Sequence, residues 1–380
     1  MKSKIELIIC GDICPTTDTI NYFEDGMHNI LFNDISLYFD NANFVLGNLE
    51  FVLTDNPKPI AKAGPILNGP TNYIDILKKA GFNALSLANN HIKDCGEDGI
   101  KSTIEACENA NIDTFGAGAN LTEAKKPFVK EINGIKIGIL AFAEQEFNCA
   151  SNTEYGANYF DPFEDLDLIE KVKSQVDYLI ILYHGGVEYY EYPSPLLQKK
   201  CKKFIDKGAD FVTCQHSHCI GTIEEYGRKK ILYGQGNTVF GYREGNDSWN
   251  QGLLIKLNLV KNGNEITVDT TLIPIHATKK GIELIDLKNS KKLLEALNSR
   301  SLKLLEEGFI QSSWKKFCES KKWLYLPWLF GFNRYLIHLN RLLSNGIVKV
   351  FYRRRQVATS HNIVRCETHN EVIQELLKDK

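Results

Sequence analysis

Short apolar stretches recur along the first 280 residues, and most of them are continuous rather than alternating with polar residues. They lie at residues 5–10, 44–49, 84–88, 135–142, 178–183, 211–214, 230–233, 253–259 and 266–275. Strands that are buried on both faces show this continuous pattern, as in layered proteins with parallel strands. The pattern therefore predicts an α/β fold whose strands are largely buried.

Segments with the apolar spacing of a helix fall between these strands. Residues 72–80 precede Gly81, a residue type common at helix C-termini, and 96–109 and 194–207 show the same spacing. The last two strands are joined by Lys-Asn-Gly-Asn at 261–264, a sequence typical of a hairpin turn. We therefore expect a mixed sheet that ends in antiparallel strands.

Beyond residue 282 the pattern becomes helical, and the balance of charge changes with it. Residues 1–280 carry 27 Lys and Arg against 37 Asp and Glu, whereas 281–380 carry 18 against 10. Within the second part, 309–355 holds ten basic residues, one acid and three of the four tryptophans. We therefore expect a catalytic-sized α/β domain over 1–280 and a helical, basic, aromatic-rich extension over 281–380.

The apolar stretches are too short for a membrane span or a secretion signal. No run reaches the ~18 uncharged apolar residues that a transmembrane helix needs. The apolar run before Gly11 has about six residues, fewer than a signal peptide requires. The ten cysteines include no Cys-x-x-Cys pair, which favours free thiols in a reducing compartment. We therefore expect a cytoplasmic protein, with peripheral membrane contact left open.

Polar residues cluster where six of the predicted strands end. These residues are Asp12, Asn48, Glu50, Asn89, Asn90, His91, His184, His216, His218 and Asn237. In layered α/β folds, ligands bind at the carboxyl ends of the strands. Carboxylate and amide oxygens together with imidazole nitrogens suit Mn, Fe or Zn ions. The donors outnumber the needs of one tetrahedral ion, so we expect two divalent transition-metal ions bridged by a carboxylate.

Several short motifs occur in a characteristic order along the chain. They are Gly11-Asp12, Asn48-Leu49-Glu50, Ser86-Leu87-Ala88-Asn89-Asn90-His91, His184-Gly185-Gly186, His216-Ser217-His218 and Tyr233-Gly234-Gln235-Gly236-Asn237. Together they resemble the capsule-synthesis (CapA-like) branch of the calcineurin-like metallophosphoesterases, over about residues 5–275. The resemblance implies a four-layer α/β/β/α sandwich. It also implies a dinuclear phosphoester hydrolase acting in bacterial capsule, poly-γ-glutamate or other surface-polymer synthesis.

The resemblance also implies a role for each metal ligand. The implied ligands are Asp12, Glu50, Asn90, His184, His216 and His218. Asp12 would hold the first ion, and Glu50 would bridge both ions. Asn90 and His184 would hold the second ion, and the two remaining histidines would complete one site each.

The catalytic imidazole implied by the resemblance is His91, which would stabilise or protonate the leaving oxygen. The chain departs from many metallophosphoesterases at the first motif, where Asp12-Ile13-Cys14 stands in place of Asp-x-His. The first ion would then lack a protein ligand, or Cys14 would supply a thiolate. This departure leaves open a second function, a catalytically weak metal-containing module that binds a polyanionic polymer or scaffolds a synthesis complex.

Five further polar residues are candidates for supporting the ligands or lining the substrate pocket. Asn48 belongs to this set by its position at a strand end, and Asn89 is expected to bond loop backbone. Asp94 would either orient His91 or cap the helix that follows it. Glu188 is expected to line the pocket. Asn237 fits pocket lining and turn formation equally well.

The expected partners follow from charge and from the resemblance. A metal-containing phosphoesterase would bind a phosphorylated or polyanionic small molecule or polymer. The aromatic, basic segment 309–355 would pack on the catalytic domain, contact a protein partner or lie on an anionic membrane surface. Nucleic acid is not an expected partner.

Overall fold

The computed structural model describes residues 2–378, so Met1 and the last two residues of the predicted extension lie outside the described residues. The chain divides into two compact units, 1–310 and 311–380. The strands, which all lie in the first unit, are β1 Lys2–Ile13, β2 Phe44–Leu49, β3 Val52–Leu53, β4 Asn68–Gly69, β5 Ala84–Ser86, β6 Asp113–Phe115, β7 Ala117–Gly118, β8 Phe128–Ile132, β9 Ile135–Ala143, β10 Gly156–Ala157, β11 Tyr178–His184, β12 Phe211–Gln215, β13 Ile223–Tyr226, β14 Lys229–Leu232, β15 Asn237–Val239, β16 Gln251–Asn262, β17 Glu265–Thr278 and β18 Gly281–Leu284.

Two large sheets account for most of these strands. The first sheet has the order β18-β17-β16-β1-β2-β5-β6, and β15 pairs with the carboxyl end of β1. The second has the order β13-β14-β12-β11-β9-β8. Strands β1, β2, β5 and β6 are parallel to one another, as are β9, β11, β12 and β14. Strands β16 and β17 form the predicted antiparallel hairpin.

The helices of the chain are α1 Ile20–Glu24, α2 His28–Leu31, α3 Ser36–Asn41, α4 Ile74–Ala80, α5 Gly96–Asn109, α6 Leu121–Ala124, α7 Asp165–Lys173, α8 Pro195–Asp206, α9 Asp247–Asn250, α10 Leu287–Leu302, α11 Phe309–Leu329, α12 Arg334–Leu342, α13 Gly346–Phe351, α14 Arg354–Arg365 and α15 Glu367–Lys378. Helix α8 begins after Ser194, whose hydroxyl accepts from the Leu197 amide, with Pro195 at the first helical position. Helix α4 ends at Gly81, whose left-handed backbone closes the helix.

The two sheets pack face to face, and helices cover both outer faces. Alternate side chains of β9 and β11, such as Ile139 and Ile180, lie in the core shared with the first sheet. Their neighbours, such as Leu140 and Ile181, pack instead in a second core with α7 and α8. Helices α3, α4 and α5 contribute to the core on the first sheet's side. The four-layer α/β/β/α arrangement is therefore confirmed.

At the amino ends of the central strands, side-chain contacts connect the first sheet to the second. The ammonium group of Lys261, in β16, lies 2.7 Å from Asp177, the residue before β11. Asn133, between β8 and β9, donates to the carbonyl of Lys4 in β1 at 3.4 Å. These contacts join the sheets at the edge opposite to the carboxyl ends of the parallel strands.

The first unit extends to Ile310, beyond the predicted boundary at 280. Strand β18 pairs with β17, and α10 buries Leu297 in the core of this unit. Arg300 of α10 donates to the carbonyl oxygens of Ile220 and Gly221 at 2.8 and 2.9 Å. The first part of the predicted extension therefore belongs to the α/β unit.

The second unit is helical and has a small interior. Among its described residues, only Pro327, Asn340 and Val348 are buried. Asn340 accepts from the Val348 amide at 3.2 Å and so joins α12 to α13. No helix within residues 2–378 is long and apolar enough to cross a membrane.

Candidate metal centre

Five of the predicted ligands meet at the carboxyl ends of the parallel strands, where the two sheets face each other. Asp12 lies near the end of β1, and Glu50 directly follows β2 in the same sheet. His184 ends β11 of the second sheet, and His216 and His218 follow β12. All five side chains are buried. The candidate centre is therefore built from both sheets.

Asp12 lies within a strand rather than after one, which corrects the predicted end of β1 at residue 10. The strand continues to Ile13 because its last residues pair with β2 on one side and with β15 on the other. The register shifts between Ile9 and Asp12 relative to β2. Asn48 Nδ2 donates to Asp12 Oδ1 at 2.8 Å, and the His216 amide donates to Oδ2 at 3.0 Å.

Gly11 allows this strand to approach the loop before β15. A Cβ atom at this position would lie 2.1 Å from the carbonyl oxygen of Gly236. The Gly11 amide instead donates to the Thr238 hydroxyl at 2.7 Å. A side chain at this position would therefore move β15 away from Asp12.

The buried side chains form two overlapping groups of three potential ligands. Asp12, Glu50 and His218 form one group, and Glu50, His184 and His216 form the other. Within each group the ligand atoms lie within 4.8 Å of one another. Glu50 belongs to both groups, so its carboxylate is placed to contact two cations at once.

Burial opposes ionisation of both carboxyl groups. Burial and then the neighbouring Glu50 charge raise the pKa of Asp12 to about 7, although His184 opposes this rise. Burial likewise raises the pKa of Glu50 to about 8, although the nearby His91 opposes this rise. Two carboxylates in one buried site repel each other unless a cation lies between them.

The histidines of the site are held in their neutral form, as metal ligands must be. Burial lowers the pKa of His184, His216 and His218, in the last case to about 3. Among the described residues, neither oxygen of Glu50 nor Nδ1 of His216 has a hydrogen-bond partner. Buried acceptors without donors fit cations, so the residues present suit a metal site.

His216 and His218 have left-handed backbone conformations, with φ values of 83° and 52°. Such conformations are uncommon for residues other than glycine and persist where the surrounding structure holds them. They turn both imidazoles towards the same centre, with ring centroids 6.1 Å apart. The amide of His216 then faces Asp12, which fixes the loop to the first sheet.

Two asparagines at strand ends orient the ligands. Asn237 donates through Nδ2 to the Trp249 carbonyl at 3.1 Å, so its Oδ1 faces Nδ1 of His218 at 2.8 Å. His218 therefore carries its proton on Nδ1 and keeps the Nε2 lone pair for a cation. The amide nitrogen of Asn48 lies between Asp12 and Nδ1 of His184, at 2.8 and 3.1 Å.

Two further asparagines, Asn89 and Asn90, lie in the loop after β5. Asn89 donates to the Leu49 carbonyl at 2.8 Å and accepts from the His91 amide at 3.1 Å. It thus bonds loop backbone, as predicted. Asn90 is half-buried, and its Oδ1 lies 2.9 Å from Nε2 of His184. Its oxygen is therefore beside the group formed by Glu50, His184 and His216.

His91 lies beside the ligands and is tied to a buried acidic residue. Its Nδ1 lies 2.7 Å from Oδ2 of Asp94, which also accepts from the Leu67 amide at 2.8 Å. Asp94 was expected either to orient His91 or to cap α5. Its carboxylate contacts His91, and α5 has no side-chain cap hydrogen bond. The bond at Nδ1 leaves Nε2 of His91 as its second functional nitrogen.

Lys62 is a further residue of this cluster that the sequence did not single out. Its ammonium group pairs with Oδ1 of Asp94, and the two side chains are 2% and 1% exposed. It also lies 3.4 Å from Nδ1 of His91. Lys62 stands in a loop with no regular apolar spacing, so no pattern marks it as buried.

Cys14 and Glu188 lie outside the two ligand groups. Cys14 is buried, and its thiol donates to the Pro15 carbonyl at 3.4 Å. Burial raises the pKa of this thiol well above its usual range, and the charges of Glu50, Asp94 and Asp12 raise it further. Glu188 is exposed on the loop after β11, and its charge raises the pKa of Glu50.

The chain is similar to known bacterial proteins over the region that contains this site. The family described as "Bacterial capsule synthesis protein PGA_cap" matches residues 6–242. The capsule biosynthesis protein CapA of Bacillus anthracis is 30% identical over 276 residues, which are 70% of this chain and 66% of that protein. The chain thus spans just under two thirds of that relative.

Two further similarities were found. The PGA biosynthesis protein CapA of Bacillus subtilis (strain 168) is 31% identical over 294 residues, 75% of this chain and 76% of that protein. The solved structure of a novel phosphatase from Mycoplasma pneumoniae has a TM-score of 0.44 and 14% identity, covering 74% of this chain and 97% of that one. The family match includes every residue of both ligand groups, and the chain belongs to the bacterial capsule synthesis protein family.

Proposed function

We propose that the chain is a dinuclear metal-dependent phosphoester hydrolase acting in the synthesis of capsule, poly-γ-glutamate or another surface polymer. The observation that carries the proposal is the position of Glu50, which belongs to both groups of ligands and has two buried oxygens without donors. Oxygen and nitrogen donors of this kind suit Mn, Fe or Zn. The relatives' names supply the biological setting.

In this proposal, each side chain has one task. Asp12 and His218 would hold the first ion, Glu50 would be shared by both ions, and His184 and His216 would hold the second with the help of Asn90. When bound, the ions supply Lewis acidity towards a phosphoryl oxygen and the attacking water.

His91 transfers the proton that the departing oxygen needs. Asp94 accepts from Nδ1 of His91, so Nε2 is the nitrogen that gives the proton to the leaving group. Lys62 and the Leu67 amide hold Asp94 in place, and they act on His91 only through it. Asn48, Asn89 and Asn237 keep the ligands in the orientations described above.

The test separates metal binding from chemistry in the full-length protein. The wild type, loaded with Mn, Fe or Zn, is assayed with a generic phosphodiester and analysed for metal content. His91→Ala is expected to retain the metal and to lose about 100-fold or more in turnover, the usual contribution of a positioned proton donor. Turnover equal to that of the wild type would show that His91 has another role.

A second candidate function is a catalytically weak module that binds a polyanionic polymer or scaffolds a synthesis complex. The observation that favours it is the buried Cys14 thiol at the position where many related enzymes have a histidine. A metal-loaded wild type that binds poly-γ-glutamate but hydrolyses no ester in a broad panel would establish this function instead.

The partner of residues 309–355 is proposed to be an anionic membrane surface. This segment has ten basic residues and one acid. It exposes large apolar side chains, among them Tyr325, Trp328, Leu336, Leu339 and Phe351. Basic residues beside exposed aromatic and aliphatic groups favour reversible attachment to anionic lipid. An acidic protein surface is the alternative that the test in the Discussion distinguishes.

A further inference from the structure

Arg243 presents a fixed guanidinium group on the loop between β15 and α9. The group stacks on the ring of Trp249, with Cζ 3.1 Å from the ring centroid. Its Nη1 donates to the Tyr189 hydroxyl at 3.2 Å. Arginine has five N–H donors, and the hydrogen bond to Tyr189 uses one of them. The cation is therefore held in place with most of its donors available.

The backbone beneath this side chain is held on both sides. The Arg243 amide donates to Oδ1 of Asn250 at 2.8 Å, and Nδ2 of Asn250 donates to the Arg243 carbonyl at 2.7 Å. Trp249 is 2% exposed, and its indole N–H donates to the carbonyls of Phe240 and Gly241, each at 3.2 Å. A cation on such a support loses little conformational entropy when it binds an anion.

This arrangement adjoins the candidate metal centre. The other neighbour of Trp249 is the ligand His218, with ring centroids 4.8 Å apart. The Tyr189 amide donates to the Ser217 carbonyl at 2.8 Å, which joins its loop to the segment between the two histidine ligands. The ring of Trp249 therefore lies between Arg243 and the proposed metal ligand His218, and Arg243 is on the exposed side of that ring.

We infer that Arg243, supported by Trp249 and Tyr189, binds a second anionic group of the substrate, beside the phosphoester that the metal centre would hold. A guanidinium fork suits carboxylate and phosphate oxygens alike, since both offer two acceptors in one plane. The inference rests on the proposed function and narrows its substrate class. That class is a phosphoester with a carboxylate or further phosphate group near the bond that breaks.

The test uses the metal-loaded full-length protein and three matched substrates: phenyl phosphate, carboxyphenyl phosphate and phosphonophenyl phosphate. The wild type is expected to prefer the two anion-bearing esters by kcat/KM. Arg243→Ala is expected to lower that preference about 10-fold, the effect of losing one charge-assisted hydrogen-bonded contact. Arg243→Lys should retain part of it, because a point charge remains without the fork. If Arg243→Ala loses more of the preference for carboxyphenyl phosphate, the natural group is a carboxylate. If it loses more of the preference for phosphonophenyl phosphate, the natural group is a phosphate.

Arg228→Ala is the matched control. Arg228 is an exposed arginine in the turn between β13 and β14, at the opposite edge of the second sheet, so its loss changes net charge equally. The control should keep the wild-type preference. An equal preference in wild type and Arg243→Ala would overturn the inference.

A binding measurement keeps this inference separate from the proposed hydrolysis. The three esters are titrated into the metal-loaded protein by calorimetry. Should no ester be hydrolysed, weaker binding of the anion-bearing esters to Arg243→Ala, but not to Arg228→Ala, would support the anion site in a non-catalytic module. Equal binding by both variants, or no binding to the wild type, would refute it.

Discussion

Replacing Lys62 by methionine tests the buried cluster beside His91 most directly. Lys62 and Asp94 form an ion pair whose side chains are 2% and 1% exposed. Methionine keeps the unbranched shape of the side chain and removes its charge. The carboxylate of Asp94 then stays buried and loses the donor at Oδ1, while the Leu67 amide and His91 still contact Oδ2.

The expected loss follows from what remains around Asp94. Removing one partner of a buried ion pair typically costs ~3–5 kcal/mol, because the other charge is left without compensation. Since Asp94 keeps two donors, we expect Lys62→Met to lower the free energy of unfolding by about 3 kcal/mol, the lower end of that range. Asp94→Asn removes the carboxylate charge that Lys62→Met leaves unpaired. The double variant should therefore lose less free energy of unfolding than the sum of the losses in the two single variants.

The assay is urea unfolding with a chelator present, so that any change in metal content has no effect. Lys58→Met is the matched control, because Lys58 lies on the same loop and contacts Asp98 at 2.9 Å with both side chains exposed. Its loss should have little effect, since water screens exposed pairs. A change below about 1 kcal/mol for Lys62→Met would refute the reasoning, because it would mean that the Asp94 charge is compensated without Lys62.

Three further predictions concern the metal centre and the second unit. Glu50→Gln should lower the metal content from two ions per chain to one or none, measured by elemental analysis, and an unchanged content would contradict a shared ligand. Without metal, stability should fall as the pH rises from about 7 to about 9, because the raised pKa values of Asp12, about 7, and Glu50, about 8, keep more protons on the folded chain than on the unfolded chain there; below about pH 6.5 the lowered pKa values of His184, His216 and His218 act in the opposite direction. Urea unfolding across pH with chelator measures this, and a rise in stability from about pH 7 to about pH 9 would refute it. Leu339→Asp in the full-length chain should reduce flotation with anionic vesicles relative to the wild type. If neither the wild type nor Leu339→Asp floats with the vesicles, a protein partner is favoured.

The positions of strands and helices were largely predictable because local chemistry determines them. The helix at 96–109 has the predicted bounds, and Ser194 caps α8 where the pattern indicated a start. Strand ends were less certain, since pairing decides them. Asp12 lies inside β1 because β15, only three residues long, pairs with the end of that strand.

Side chains whose position depends on distant contacts were not predictable. The side chain of Lys62 is buried against Asp94, and no local pattern requires this position. Arg243 is held by Trp249 and Asn250 of α9 and by Tyr189, which lies 54 residues earlier in the chain. The helix α10 was assigned to the extension because the sequence pattern becomes helical beyond residue 282, whereas contacts of Leu297, Arg300 and Ser301 with distant residues place it in the first unit.

The division of the ligands between the two sheets makes a bound cation a cross-link. Asp12 and Glu50 belong to the first sheet and the histidines to the second, so an ion bound by either ligand group would tie the sandwich together at its carboxyl edge. The opposite edge is closed without metal, by the pair between Lys261 and Asp177. Local opening therefore begins at the carboxyl edge when metal is removed, and amide hydrogen exchange should become faster there first. On the proposed function, the sandwich would have one edge closed by an ion pair and one edge whose closure depends on metal supply.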